Sequence, residues 1–208
     1  MTCMNIETVT LEVADPTAAA RFYSAFGLGG RIALRESDAP TTGFRGFSLS
    51  VTVSRPADVD AFTGAALDAG ATVLKPAAKS FWGYGGVLRA PDGTIWKIAT
   101  SARKDAGPAT GEIDRLVLLL GASDVLASKR FYVGRGLTVA KSFGRKYVEF
   151  ASDPGPVQLA LYGRRALAKD VGVPEEGTGS HRIVLGGDGA FTDPDGFAWE
   201  AAALTTTP

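Results

Sequence analysis

The sequence predicts an α+β chain in which one strand–helix–strands unit occurs twice. Three observations predict it. The first is the stretch Ala90-Pro91-Asp92-Gly93-Thr94-Ile95-Trp96-Lys97-Ile98, which returns as Asp193-Pro194-Asp195-Gly196-Phe197-Ala198-Trp199-Glu200-Ala201. Each copy reads as a tight turn followed by a short apolar strand, because Pro presets φ, Asp bonds its own backbone and Gly tolerates positive φ. The second is Arg21-Phe22-Tyr23 after Asp15, echoed by Arg130-Phe131-Tyr132 after Asp124. The third is the spacing. Asp124 and Phe131 follow Asp15 and Phe22 by the same 109 residues, and Trp199 follows Trp96 by 103. A register held over about a hundred residues indicates duplication.

Taken in order, Ile6 to Val13 alternates in character and predicts a strand with Val9, Leu11 and Val13 on one face. Asp15-Pro16 has the chemistry of a helix N-terminus. The helix carries Ala18, Ala19, Phe22, Tyr23 and Phe26 at helical spacing and stops at Gly27. Strands are expected near 31–36 and 44–53. Ser54-Arg55-Pro56 opens a second helix over 57–69, closed by Gly70. A strand at 72–74, an aromatic and glycine-rich segment at 81–86, a strand at 87–89 and the first turn-plus-strand complete the half. The stretch 102–111 has no periodicity and reads as a linker, dividing the chain into units at 1–101 and 112–208. The second unit repeats the strand (113–120), the Asp-led helix and Gly136-Leu137. It is shortened between Leu185 and its turn, and it gains 161–176, with a short helix expected near 164–170.

Bulk composition excludes several classes. The 208 residues carry 22 basic and 22 acidic side chains, so nothing predicts an electrostatic footprint for nucleic acid or an anionic membrane. No apolar run approaches the roughly 18–20 residues of a membrane span, and the first residues lack a signal-peptide pattern. The single Cys3 excludes an internal disulfide framework and fits a reducing compartment. It is not expected to act as a nucleophile. A cytoplasmic protein is expected.

The residues Val13-Ala14-Asp15, Arg21-Phe22-Tyr23, Gly27-Leu28, Ala69-Gly70-Ala71, Phe81-Trp82-Gly83 and Pro91-Asp92-Gly93 form an ordered set. Asp124, Arg130-Phe131-Tyr132, Gly136-Leu137 and Asp193-Pro194-Asp195-Gly196 repeat most of it. Taken together the set resembles the vicinal oxygen chelate superfamily, which includes glyoxalase I, bleomycin-resistance proteins and extradiol dioxygenases. The resemblance covers nearly the whole chain. It implies two tandem βαβββ modules whose curved mixed sheets enclose a cup-shaped cleft, in a monomer or a homodimer.

Metal-dependent members of that superfamily take ligands from the first and last strands of each unit. The matching positions here are Thr8 and Lys97 in the first unit and Val117 and Glu200 in the second. Only Glu200 is a metal ligand by type, whereas a divalent site needs several converging N or O donors and a protonated Lys has no lone pair. No cofactor is therefore expected. Lys97 and Glu200 are expected either to pair with each other or to anchor a ligand from the floor of the cup. Glu200 is the one weak candidate for acid–base chemistry. Phe81, Trp82 and Tyr84 are candidates for a ligand wall, because aromatic surfaces with few polar groups build most small-molecule sites. Tyr147 is placed with Glu149 on one strand face, opposite Val148 and Phe150. His181, the lone histidine, lacks a partner at triad spacing and joins the ligand-binding candidates. The resulting expectation is a metal-free small-molecule binder of the glyoxalase/bleomycin-resistance type with an apolar or aromatic ligand. Antibiotic sequestration is its sharpest form. The alternative is a glyoxalase-like lyase or isomerase, or a dioxygenase-related enzyme, with a non-standard site.

Overall fold

A computed structural model describes residues 5–152 and 156–202. Cys3 lies outside the described residues. Among the described residues the chain forms α1 (Pro16–Ala25), α2 (Pro56–Asp68), α3 (Val125–Gly134) and α4 (Arg164–Val171) with fourteen strands in three sheets. The largest sheet has eight strands. In spatial order they are β5 (Thr72–Ser80), β6 (Gly83–Arg89), β7 (Ile95–Thr100), β4 (Phe47–Thr52), β8 (Arg115–Ala122), β11 (Val157–Gly163), β10 (Tyr147–Phe150) and β9 (Val139–Ser142). A four-stranded sheet is ordered β14 (Ala198–Ala201), β13 (Ile183–Thr192), β1 (Thr8–Val13) and β2 (Ala33–Glu36). A two-stranded ribbon pairs β3 (Thr41–Gly43) with β12 (Gly177–Gly179).

Both halves of the chain contribute to every sheet. The eight-stranded sheet joins two βαβββ runs of one topology, β4-α2-β5-β6-β7 and β8-α3-β9-β10-β11, through the antiparallel pair β4–β8. The strands at the two ends of the chain, β1–β2 and β13–β14, close on each other in the four-stranded sheet. Consequently the two copies of the Pro-Asp-Gly turn feed different sheets: β7 lies in the larger and β14 in the smaller.

The local signals hold. Asp15 and Asp124 cap α1 and α3 through their carboxylates, satisfying N–H groups the first turn leaves without partners. Arg55 supplies no side-chain cap to α2. Instead Asp105, from the segment between β7 and β8, accepts the N–H of Ala57 at 2.7 Å. That segment is held again by buried Asp58, which accepts the backbone N–H groups of Thr110 and Gly111. Burial alone would raise the pKa of Asp58, but these donors, with the Thr110 hydroxyl, hold it below the ordinary carboxylate value.

Strand alternation divides the eight-stranded sheet into two faces. One carries Phe47, Leu49, Val51, Trp96, Ile98, Leu116, Leu118, Leu120, Leu159 and Leu161. These share a single buried cluster with Val9, Leu11 and Val13 of β1, Ile183 and Leu185 of β13, and Phe22, Tyr23 and Phe26 of α1. Trp96 and Trp199 sit inside it, as their alternation with Lys97 and Glu200 predicts. Trp96 packs against Tyr23 and Phe26 of α1, and Trp199 against Tyr132 of α3. Among the described residues no helix is long and apolar enough to cross a membrane.

Candidate functional site

The other face of the eight-stranded sheet carries the candidate site. The alternate residues Ser50, Thr52, Lys97, Arg115, Val117, Leu119, Tyr147, Glu149, Gln158 and Tyr162 line a cleft of about 1720 Å³. The hairpin tips at the two ends of the sheet extend over its mouth. Trp82 projects from the β5–β6 tip at 83% exposure, and Phe143 from the β9–β10 tip at 63%.

Part of this face is covered by α4, the helix expected from the insertion in the second half. Leu167, Ala168 and Val171 of α4 pack with Phe44, Val87 and Ile95 into a second, smaller core. Two lysines of the first half anchor the helix. Lys75 Nζ donates to the carbonyls of Lys169 and Asp170, where carbonyls at a helix end lack internal donors. Lys97 Nζ lies 2.8 Å from Asp170 Oδ2. The helix therefore covers Val87 and Ile95 on this face, while Lys97, Arg115, Val117, Tyr147 and Glu149 remain in the cleft.

The partner of Lys97 corrects the expectation that it meets Glu200 across one cleft. Glu200 lies on β14, in the other sheet, and its two oxygens take hydrogen bonds of 2.7 and 2.9 Å from Arg35 of β2. Arg35, in register with Glu12 of β1, reaches across β1 and β13 to meet it. Glu200 is not among the residues that line the cleft. Thr8 and Lys97, the matching positions of the first unit, likewise lie in different sheets. In register, Lys97 neighbours Ser50, Ser50 neighbours Val117, and Val117 neighbours Gln158. The row crossing the four central strands is therefore Lys97–Ser50–Val117–Gln158.

That row does not fit a divalent metal. It offers an ammonium already engaged by Asp170, a hydroxyl, an aliphatic side chain and an amide. Zinc or a comparable ion takes imidazole, thiolate and carboxylate donors. Among the described residues no three His, Cys, Asp or Glu side chains converge to hold an ion.

Of the remaining candidates, Trp82 and Tyr147 line the cleft and Phe81, Tyr84 and His181 do not. Phe81 is 79% exposed beside Trp82 and takes Arg103 over its ring. The Tyr84 hydroxyl donates to Asp60 of α2 at 2.7 Å, so it braces the hairpin on its helix side. His181 stacks on Phe197, and its ring nitrogens face the carbonyl oxygens of Arg45 and Asp195. It ties the loop before β4 to the second Pro-Asp-Gly turn.

The structure adds a polar chain that sequence reasoning missed. Gln158 is 5% exposed. Its amide nitrogen donates to Glu149 Oε1 at 3.1 Å and to the carbonyl of Phe150 at 3.0 Å, while its oxygen accepts Arg115 Nη1 at 2.8 Å. Glu149 Oε2 accepts the Tyr147 hydroxyl at 2.9 Å. Burial, then the charge of Glu149 and its hydrogen bond, push the Tyr147 hydroxyl well above its ordinary range, so it remains a proton donor to Glu149. The one signal in the sequence was an amide inside the apolar run Val157-Gln158-Leu159-Ala160-Leu161.

The eight-stranded sheet of two βαβββ runs curves around a cleft on the face away from its core, and solved glyoxalase structures share this fold. The chain superposes on a mutant glyoxalase I from Zea mays with a TM-score of 0.59 and 13% identity, covering 94% of this chain and 91% of that one. A putative dioxygenase from Bacillus subtilis gives 0.55 and 13%, covering 94% and 72%. Glyoxalase I from Zea mays in another crystal structure gives 0.56 and 14%, covering 90% and 76%. No protein-family model matches the sequence, and no curated protein matches it significantly. At these identities the likeness establishes the fold.

Proposed function

We propose that this chain is a small-molecule-binding protein of the glyoxalase/bleomycin-resistance type that works without a metal and holds an apolar or aromatic ligand in the cleft. The supporting observation is the central row of the eight-stranded sheet. Where metal-dependent relatives of this fold gather ligands, the chain has Lys97, Ser50, Val117 and Gln158, yet the cleft above them stays open at about 1720 Å³. The lining combines apolar and aromatic surface from Trp82, Val117, Leu119, Phe143 and Tyr162 with many charged side chains, and a cleft that joins apolar walls to convergent polar groups suits small organic molecules. Sequestration of an aromatic antibiotic is the specific activity to test first.

The experiment is a thermal-unfolding screen of the purified chain against aromatic antibiotics and metabolites, run with chelator and again with Zn²⁺, Mn²⁺ and Ni²⁺. A ligand that binds only the native state raises the unfolding temperature in proportion to its excess over Kd. Stabilisation by an aromatic compound, unchanged by chelator, is the expected result. Stabilisation that requires a metal, or metal retained stoichiometrically through purification, would overturn the metal-free reading.

A further inference from the structure

We infer that the cleft takes a ligand carrying two charges on one edge: an anionic group received by Arg115 and a protonated amine or N–H donor received by Glu149. The inference rests on the proposed use of the cleft as a small-molecule site and specifies the chemistry of its occupant.

The argument starts from Gln158. Both its amide protons and its oxygen are engaged, so the side chain cannot rotate without losing Arg115, Glu149 and the Phe150 carbonyl together. It fixes a cation and an anion on either side of itself, separated by two hydrogen bonds and one amide group. A direct Arg115–Glu149 ion pair would neutralise both. The interposed amide keeps them apart, and both line the cleft. Neither is saturated. A carboxylate accepts up to about four hydrogen bonds, and Glu149 receives two from the described residues. A guanidinium has five donors, and Arg115 directs one to Gln158. The charged atoms also lie beside apolar surface. Val117 and Leu119 continue the strand of Arg115, and Tyr162 stands across from Tyr147 with ring centroids 6.0 Å apart. An aromatic body laid along Val117 and Leu119 would carry its charged edge to Arg115 and Glu149. An aromatic amino acid, or a larger compound with that headgroup, has this pattern.

Four probes sharing one ring separate the contributions: tryptophan, indole-3-acetate, tryptamine and indole, titrated by calorimetry near pH 7. The expected order places tryptophan tightest, with about a 10- to 100-fold loss on removing either charged group, the range for hydrogen bonds to charged partners. Glu149→Gln should weaken tryptophan and tryptamine and leave indole-3-acetate unchanged. Arg115→Met should weaken tryptophan and indole-3-acetate and leave tryptamine unchanged. The probe that each variant should not affect reports that its cleft is intact. Equal affinity for all four probes, or a variant that weakens all four alike, overturns this inference while the cleft stands as an aromatic site. Binding of none overturns it too, and the broader proposal is then judged by the thermal-unfolding screen.

Discussion

Lys97 and Asp170 pair at 2.8 Å, with about a third of each side chain exposed, and so join the last strand of one βαβββ run to the helix that follows the other. A pair this exposed contributes about 0.2–1 kcal/mol. Its consequence is positional, because with Lys75 it holds α4 over the first-half side of the cup. Asp170→Asn should lower global stability by no more than about 1 kcal/mol. It should also accelerate amide exchange in α4 relative to β7. Hydrogen exchange followed residue by residue checks this, and uniform acceleration in both elements would contradict it.

Tyr132 and Asp193 make the corresponding tie within the core. The buried Tyr132 hydroxyl donates to Asp193 Oδ2 at 2.7 Å and accepts the indole N–H of Trp199 at 3.2 Å. Tyr23 makes the same bond to Asp92, also at 2.7 Å. Tyr132→Phe would take the donor from Asp193 Oδ2, while Oδ1 keeps the N–H groups of Asp195 and Phe197, and would leave the buried indole N–H of Trp199 without an acceptor, so a loss of about 2–3 kcal/mol is expected. Tyr23→Phe removes a single partner from a less enclosed Asp92 and should cost about 1–2 kcal/mol. Urea unfolding of both variants measures the difference, and reversal of the order would refute the comparison.

Asp58 gives a pH dependence with a definite sign. Its folded-state value lies below the ordinary one despite burial, because the Gly111 and Thr110 donors favour the charged form. Its contribution is therefore complete above the unfolded-state value, about pH 4, and fades as pH falls through the lower, folded value. Asp193 acts in the opposite sense. Burial raises its value, so its contribution is present at low pH and lost as pH rises through the raised value. Asp58→Asn removes the first dependence alone. Stability measured in urea between pH 7 and 3 should fall less steeply in the variant than in the parent; parallel curves would show that Asp58 is not the source.

The ribbon of β3 and β12 depends on two facing glycines. Gly43 has φ +65°, and a Cβ there would lie 2.3 Å from the carbonyl oxygen of Glu176; one on Gly177 would lie 2.2 Å from that of Phe44. Both obstacles are backbone, which has little freedom to yield. Gly43→Ala should cost roughly 1–3 kcal/mol from the strained conformation and should separate the ribbon. Gly30→Ala, at φ +77° but with no atom within 4 Å of the added Cβ, should cost less. Thermal unfolding of the two variants side by side tests whether the clash or the dihedral dominates.

The sequence by itself determined the elements and their faces. Asp15 and Asp124 announce helices because a capping carboxylate acts within three residues. Trp96 and Trp199 turn inward while Lys97 and Glu200 turn out, because a strand alternates with a period of two. Tyr147 and Glu149 share a face for the same reason. Tertiary structure decided which strands became neighbours. The repeated turns appear equivalent in sequence, yet β7 joins β4 and β14 joins β13. Lys97 therefore meets Ser50 and Asp170, and Glu200 meets Arg35. The site depends on contacts between residues far apart in the chain: Arg115 and Gln158 are 43 residues apart, and Lys97 and Asp170 are 73. Such partnerships follow from which apolar faces bury against one another and in what register. Neither a local motif nor a periodic pattern encodes that choice, because both repeats offer the same inward-facing Trp to the core.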